Sequence, residues 1–474
     1  YLNNYSKNTP MPDAETEWQL DSMLIKMINV EAVNGFAQQV IYPRNQVIVV
    51  TAPEKEGIVN PTAEELLAIR EKVANAEIEA YEDNTVKEPL IPEGTVLKGS
   101  PVKKTTQDAT LGTTEWTLAN GVKVVVKPTT YKADEVRMSA VAKGGLSILS
   151  DEEFYMGEMM PAFNSMSGVE NYASAVNGYC SPKDLETMMQ LLYLNFTQPR
   201  FDQNDYNTLM KMLRSQLDNV KSNPDYLMEE KFIDVAYGNN PRRQMISTEI
   251  IDKFSFEALP AIYRKLYPDA NSFTFTIVGN VDLDALKPLV EKYIGSIPVS
   301  KKAMTFADDK CAPVKGDVTE EFTAPMQQPK VSVHYMFSGK MPYTLKDKAA
   351  LTFLTQALNS RYLISIREEK GGTYGVQVSG STEYIPDETY KLDIRFDTNE
   401  EMADELREIV MKEIREIAEN GPKAEDIEKN REFMLKSWKN SLEQNAGWMN
   451  YIQAKYGPGL EYLKDYEQVI RSLT

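Results

Sequence analysis

Histidine and cysteine are almost absent from this chain: its 474 residues hold one imidazole, His334, and two thiols, Cys180 and Cys311. A histidine-based metal centre with hydrolytic chemistry draws on several His and carboxylate ligands, plus a carboxylate that activates bound water. A self-contained centre of that kind is therefore nearly excluded. The two cysteines lie far apart with no CxxC spacing, which indicates neither a metal knuckle nor a disulfide framework and does not decide the compartment. Basic charge is also in deficit, with 52 Lys and Arg against 70 Asp and Glu and a net charge of −18. That balance repels nucleic acid and anionic lipid, and no local basic patch overrides it. No apolar run approaches the roughly 18 residues of a membrane helix. Tyr1 opens a polar stretch without a charged or apolar leader pattern, so no targeting signal is visible. The chain reads as cut from something longer, and that absence carries no information about the parent.

What is present is the balance of an ordinary globular protein, 42% hydrophobic and 26% charged, in a chain too long for a single core. Two complete domains plus extra segments are expected. A phrase of helix end, Tyr-Pro, turn and strand occurs twice: FAQQVIYPRNQVIVVTA from Phe36 to Ala52, and IYRKLYPDANSFTFTIVG from Ile262 to Gly279. In both copies proline stops a helix and an Asn leads into a β-branched or aromatic run. The period is that of a duplicated domain; two unrelated helix-to-strand junctions would read the same way.

If the phrase ends a domain, residues 1–53 are the tail of a preceding domain and residues 54–110 a linker. Asn60 and Pro61 suit the start of a helix there, striped by Leu66, Ile69 and Val73, followed by the extended stretch EPLIPEGTVLKGSP. A third domain, 111–310, opens with TEWTLANGVKVVVKP, where Asn120-Gly121 marks a two-residue hairpin. It closes with a strand over Phe273 to Val278 and a helix from Leu283 to Ile294 stopped by Gly295. A fourth domain, 311–474, starts near Lys315. Its strand TYKLDIRFD puts Tyr390, Leu392, Ile394 and Phe396 on one face. A helix over 400–419 carries Met402, Leu406, Ile409, Val410, Ile414 and Ile417, with a capping-box pattern from Thr398 to Glu401 and Asn420-Gly421-Pro422 as its stop. The fold class read from this is α+β, with each complete domain a two-layer unit of mixed or antiparallel sheet covered by helices.

His334 lies in the strand VSVHYMFS, on the face opposite Val331, Val333, Tyr335 and Phe337, and reads as a sheet-surface histidine. A sharper constellation is SIREEKGGTYGVQVSG. Arg367 ends a helix there, Gly371-Gly372 turns the chain tightly, and Tyr374 stands seven residues on at the start of a strand. A guanidinium and a phenol brought together can hold a peptide carbonyl and the oxyanion that develops from it. Spacing alone fits equally well a surface arginine beside a half-buried strand tyrosine.

Several phrases taken in order give this chain a specific resemblance. YPRNQVIVVTAP, LANGVKVVVKP, SPKDLETMMQLLYLNFTQPRFD, YPDANSFTFTIVGNVD with YIGSIP, and LNSRYLISIREEKGGTYGV resemble, from end to end, the C-terminal half of pitrilysin-family (M16) zinc metallopeptidases. In that family the N-terminal half bears the inverted zinc motif HxxEH, and the C-terminal half is a degenerate copy without metal. The resemblance implies that Arg367 and Tyr374 reach across a closed chamber to the scissile peptide held at the other half's zinc. It also implies that Leu363, one turn before Arg367, lines the pocket for the side chain after the cut. Nothing here matches HxxEH, so zinc and the general base belong to a half that precedes Tyr1, and residues 1–474 alone are expected to be inactive. The segment from Gly145 to Leu185 is shorter than the family carries, which leaves open a loop dropped between about Phe154 and Gly178.

The implied partners are the N-terminal half of the same polypeptide and unfolded peptides, with no nucleic acid and no membrane span. A non-catalytic scaffold or partner subunit of the same fold, binding peptides, is the alternative. Retention of both Arg367 and Tyr374, and the incomplete domain at 1–53, argue against it. The compartment stays open, with a lean to the bacterial cell envelope or periplasm.

Overall fold

The computed structural model describes residues 1–40, 45–52, 57, 59–77, 88–371, 373 and 375–473. The chain divides into two compact units, Tyr1–Val86 and Lys87–Thr474. Among the described residues no helix is long and apolar enough to cross a membrane.

The first unit holds the helices Leu2–Lys7, Ala14–Met27, Val30–Val40 and Ala63–Ala74, none of which buries a residue. Asp13 accepts the Thr16 N–H to start the second of them (2.8 Å). The last begins two residues later than Asn60 and Pro61 suggest. Thr62 is its N-cap, in a reciprocal capping box with Glu65, which satisfies two amides that a helix start leaves open. The first copy of the repeated phrase forms no strand: residues 46–52 carry no regular pairing, and Val47 and Val49 are 87% and 79% exposed. A β-branched run gains order only from a neighbouring strand, and this unit holds none among its described residues. Tyr42, Pro43 and Arg44, the centre of that copy, lie outside the described residues.

Among its described residues the second unit contains ten strands: β1 (Val102–Asp108), β2 (Thr113–Leu118), β3 (Lys123–Pro128), β4 (Val136–Lys143), β5 (Ser167–Val169), β6 (Ala173–Cys180), β7 (Phe273–Gly279), β8 (Val331–Lys340), β9 (Val376–Glu383) and β10 (Thr389–Thr398). They form a seven-stranded sheet in the order β1-β2-β3-β7-β4-β6-β5 and a three-stranded sheet in the order β8-β10-β9. The fold is α+β. Asn120-Gly121 makes the expected hairpin turn, with Gly121 at φ +90° and its N–H on the Leu118 carbonyl (2.9 Å). The second copy of the repeated phrase behaves as read: the helix Leu259–Leu266 passes through Tyr267 and Pro268 into β7. β7 then pairs parallel with β3 and antiparallel with β4.

One face of the large sheet packs Val124, Val126, Phe275 and Ile277 against Leu192, Ile262, Tyr263 and Leu266 from its helices. The other face is covered from far downstream. The helix Asn445–Tyr456 lays Trp448, Met449 and Ile452 on Leu111, Val125 and Val278. Polar ties surround that contact. Thr129 Oγ1 donates to Asn445 Oδ1 (2.6 Å), Gln453 to Ser139 (2.8 Å), and Lys455 pairs with Asp108 (2.6 Å).

The Lys455 ammonium holds the Asp108 carboxyl below its ordinary range. A carboxylate lowered in the folded state stabilises the fold above its unfolded pKa, and that support is lost as pH falls through the lowered value. Lys455→Met should therefore cost about 1 kcal/mol at neutral pH. Melting curves of the two proteins should converge towards about pH 2; a constant gap across that range would remove the pair from the account.

The smaller sheet buries Leu392, Ile394 and Phe396 against Leu358, Tyr362, Leu406 and Val410. The helix Ala403–Asn420 follows the expected stripe and stop but starts differently. Thr398 belongs to β10, and Asn399 Oδ1 accepts the Met402 N–H (3.0 Å) at the turn before Ala403. His334 is also placed differently from a sheet-surface residue, its side chain being only 3% exposed. Its ring stacks on Phe232 of the helix Pro224–Tyr237, with centroids 3.4 Å apart. Its Nε2 lies 2.9 Å from Asp393 Oδ1 and accepts from Arg395 Nε at 3.0 Å. The alternation of VSVHYMFS located the face correctly, but the helix that covers it comes from about a hundred residues earlier.

Candidate active-site arm

The arm carrying Arg367 grows out of the helix Leu345–Tyr362. Thr344 caps its start by accepting the Asp347 N–H (3.1 Å). Ala357, Leu358 and Tyr362 anchor it in the core of the smaller sheet, and the Tyr362 hydroxyl donates to the Val410 carbonyl (3.1 Å). Arg361 is 7% exposed and pairs with Glu413 at 3.0 Å, so the end of this helix is fixed by both packing and charge.

Beyond Tyr362 the chain widens into a π-helical turn, Leu363–Glu368, closed by the Glu369 N–H on the Ile364 carbonyl (3.0 Å). Such turns rotate the following side chains relative to an α-helix and recur at functional sites. Here the turn buries Ile366 and leaves Leu363, Ile364 and Arg367 exposed. Gly371, at φ +64°, donates its N–H to the Arg367 carbonyl (3.1 Å) and reverses the chain, a conformation that favours glycine. Thr373 Oγ1 then accepts the Gly375 N–H (3.2 Å), and β9 begins at Val376.

Two of the three residues singled out from sequence are thus on one short turn: Leu363 and Arg367, a single helical turn apart and both open to solvent. Among the described residues Arg367 has no ion pair and no side-chain hydrogen bond, whereas its neighbour Lys370 pairs with Glu405 at 2.6 Å. Tyr374 lies outside the described residues.

A residue that the sequence reading passed over sets the geometry of this arm. Asn359 Nδ2 donates to the Val378 carbonyl (3.0 Å), and its Oδ1 accepts the Val378 N–H (3.1 Å). The amide acts as a one-residue strand partner, clamping the outer edge of β9 to the helix from which Arg367 issues. The available signal was an amide one turn before the LISIRE segment. Asn359→Leu should leave both Val378 groups unpaired and cost about 1–3 kcal/mol in chemical denaturation; a loss below about 0.5 kcal/mol would show that the clamp holds nothing.

No metal site is formed by these residues. Among the described residues no three His, Cys, Asp or Glu side chains come together to hold a metal ion, and His334 is taken up by Asp393, Arg395 and Phe232. The donor set does not fit a catalytic zinc.

Residues 253–434, which include this arm and the whole smaller sheet, match the sequence profile of the peptidase M16 inactive domain. That stretch is similar to an M16 inactive domain. Curated zinc proteases are similar to the chain over most of its length. A zinc protease PQQL-like protein of Arabidopsis thaliana is 23% identical over 474 residues, covering 96% of this chain and 49% of that protein. The probable zinc protease PqqL of Escherichia coli K12 is 23% identical over 407 residues, covering 78% and 42%. The crystal structure of the periplasmic protease PqqL from Escherichia coli superposes with a TM-score of 0.71 at 18% identity, covering 100% of this chain and 55% of that one. The chain spans about half the length of the relatives it matches. The M16 resemblance read from its motifs and the M16 match over residues 253–434 agree.

Proposed function

We propose that this chain is the metal-free C-terminal half of a zinc endopeptidase, closing over peptide substrates and supplying Arg367 and Tyr374 to the scissile peptide. The observation that carries the reading is Arg367 itself: a guanidinium on a π-helical turn, exposed and, among the described residues, without an acidic partner, in a chain where acidic groups outnumber basic ones. Arg395, by contrast, pairs with Glu229 at 2.8 Å.

The Arg367 fork donates to the backbone carbonyl of a bound peptide, and the Tyr374 hydroxyl donates to the oxygen that gains charge as that carbonyl becomes tetrahedral. Leu363, on the same turn, offers an apolar contact for the side chain after the cut. A zinc ion and a general base held by the N-terminal half would supply carbonyl polarisation and water activation. Substrates are unfolded peptides, bound by adding a strand to a sheet edge of the complete enzyme, which tolerates many sequences. The periplasmic relative supports a cell-envelope location.

The test is cleavage of a quenched fluorogenic peptide, with bound metal measured by elemental analysis. The expected pattern is silence from residues 1–474 alone and cleavage once the upstream half and zinc are added. Zinc-dependent cleavage by residues 1–474 alone would overturn the reading. No cleavage even with both halves would favour the peptide-binding scaffold.

A further inference from the structure

The arm that carries Arg367 is fixed at both ends to one helix, Ala403–Asn420. At the near end Arg361 pairs with Glu413 (3.0 Å), and the Tyr362 hydroxyl donates to the Val410 carbonyl (3.1 Å). At the far end Lys370 pairs with Glu405 (2.6 Å). Of the residues between these anchors, 363–369, only Ile366 is buried, in the core of the smaller sheet. With both ends held, the direction of Arg367 is decided by how the residues between them are wound.

They are wound as the π-helical turn Leu363–Glu368, whose closing bond reaches back five residues, from the Glu369 N–H to the Ile364 carbonyl (3.0 Å). An α-turn reaches back four, and each residue advances about 100° around the axis. One residue more in the turn therefore offsets whatever follows by about 100°. Wound as an α-helix, the same residues would carry the Arg367 guanidinium to a different side of the arm. Turns of the wider kind are rare in globular proteins, so a local interaction that favours this winding has a direct effect on Arg367.

Ser365 makes such an interaction. Its hydroxyl donates to the Arg361 carbonyl (2.9 Å), four residues back, which is the carbonyl an α-helix pairs with the Ser365 N–H. A hydroxyl competing for that carbonyl loosens and bends a helix. The bond ends on a fixed point, because the Arg361 side chain is 7% exposed and held by Glu413. Among the described residues it is the one side-chain hydrogen bond made by residues 363–369. Ser365 is half-buried, whereas Leu363, Ile364 and Arg367 are exposed, so its hydroxyl serves the backbone and leaves the open face of the turn to the other three.

We infer that Ser365 is a positioning residue for Arg367: its hydroxyl holds the wide turn that directs the guanidinium outward. The inference rests on the catalytic reading of Arg367 and adds to it the residue that sets its direction.

A double-mutant cycle on the polypeptide expressed from the complete gene tests it, with steady-state kinetics on a quenched fluorogenic peptide. Ser365→Ala should lower kcat/KM by about 10-fold through misplacement of the guanidinium. Ser365→Thr, whose hydroxyl can bond the same carbonyl, should stay within about 2-fold of the unaltered enzyme. In an Arg367→Ala background Ser365→Ala should cost nothing further, because its effect passes through Arg367. A structural role for Ser365 would instead give the same loss in both backgrounds. That result would overturn the inference, as would full activity of Ser365→Ala or failure of Ser365→Thr to recover, and the catalytic reading would stand as long as Arg367→Ala itself is costly. A silent Arg367→Ala would overturn the reading and the inference together.

Discussion

Arg367→Ala in the complete enzyme is expected to lower kcat/KM by about 100-fold, the scale of losing one donor to a developing oxyanion, while leaving thermal stability within about 0.5 kcal/mol. The second half of that expectation comes from the structure. The side chain is exposed, and among the described residues it has no partner to lose. Its backbone carbonyl, which receives the Gly371 N–H, is untouched by the substitution. Arg367→Lys should recover little, because an ammonium cannot reproduce the two-pronged donor geometry of a guanidinium. Tyr374→Phe removes only a hydroxyl and should lower kcat more than it raises KM. Steady-state kinetics and a melting curve on each variant check all three. Unchanged kcat in both Arg367→Ala and Tyr374→Phe would dismiss the pair as catalytic, and a large loss of stability in Arg367→Ala would recast it as structural.

Gly145→Ala is expected to cost more than about 4 kcal/mol, which puts it among the most damaging single substitutions. Gly144 donates its N–H to the Tyr172 carbonyl (2.8 Å) and Leu146 donates to the Glu170 carbonyl (2.9 Å), zipping the end of β4 against the β5–β6 turn. Gly145 sits between them at φ +56°, and a Cβ there would overlap the Glu170 carbonyl and the Ala173 backbone. Neither side of that contact is a flexible side chain that could move aside. Gly316→Ala is the control. It also has positive φ, +87°, but nothing lies within 4 Å of a built Cβ. Its cost should be the backbone strain alone, about 1–2 kcal/mol. Soluble yield and denaturation midpoints separate the two; similar losses would mean that conformation, and not the close approach, dominates at Gly145.

The parts of the fold that the sequence made legible are those decided by neighbours along the chain. Asn120-Gly121 between two β-branched runs, the Tyr-Pro junction before β7 and the alternation from Tyr390 to Phe396 each depend on turn chemistry or periodicity within about a dozen residues. The first copy of the repeated phrase has the same local chemistry yet forms no strand, because pairing is a property of two segments. Asn359 and His334 were read incompletely for a related reason. An amide that completes a strand edge and a ring that stacks under a distant helix are recognised only once the second element is in place. At the candidate site, the Arg367 to Tyr374 spacing points to the segment that follows the helix Leu345–Tyr362. The π-helical turn that turns Leu363 and Arg367 outward together left no periodic signature, since it differs from an α-turn by a single residue.

The run Val124 to Val126 is apolar on both faces of β3, and the helix Asn445–Tyr456 covers the second of them from more than three hundred residues downstream. That long-range closure governs cooperativity. The large sheet cannot complete its burial until the last helices have formed, and the smaller sheet lies between the two in sequence, so residues 87–474 should melt in one transition. Expressed without Asn445–Tyr456, the large sheet would present Leu111, Val125 and Val278 to solvent and associate through them.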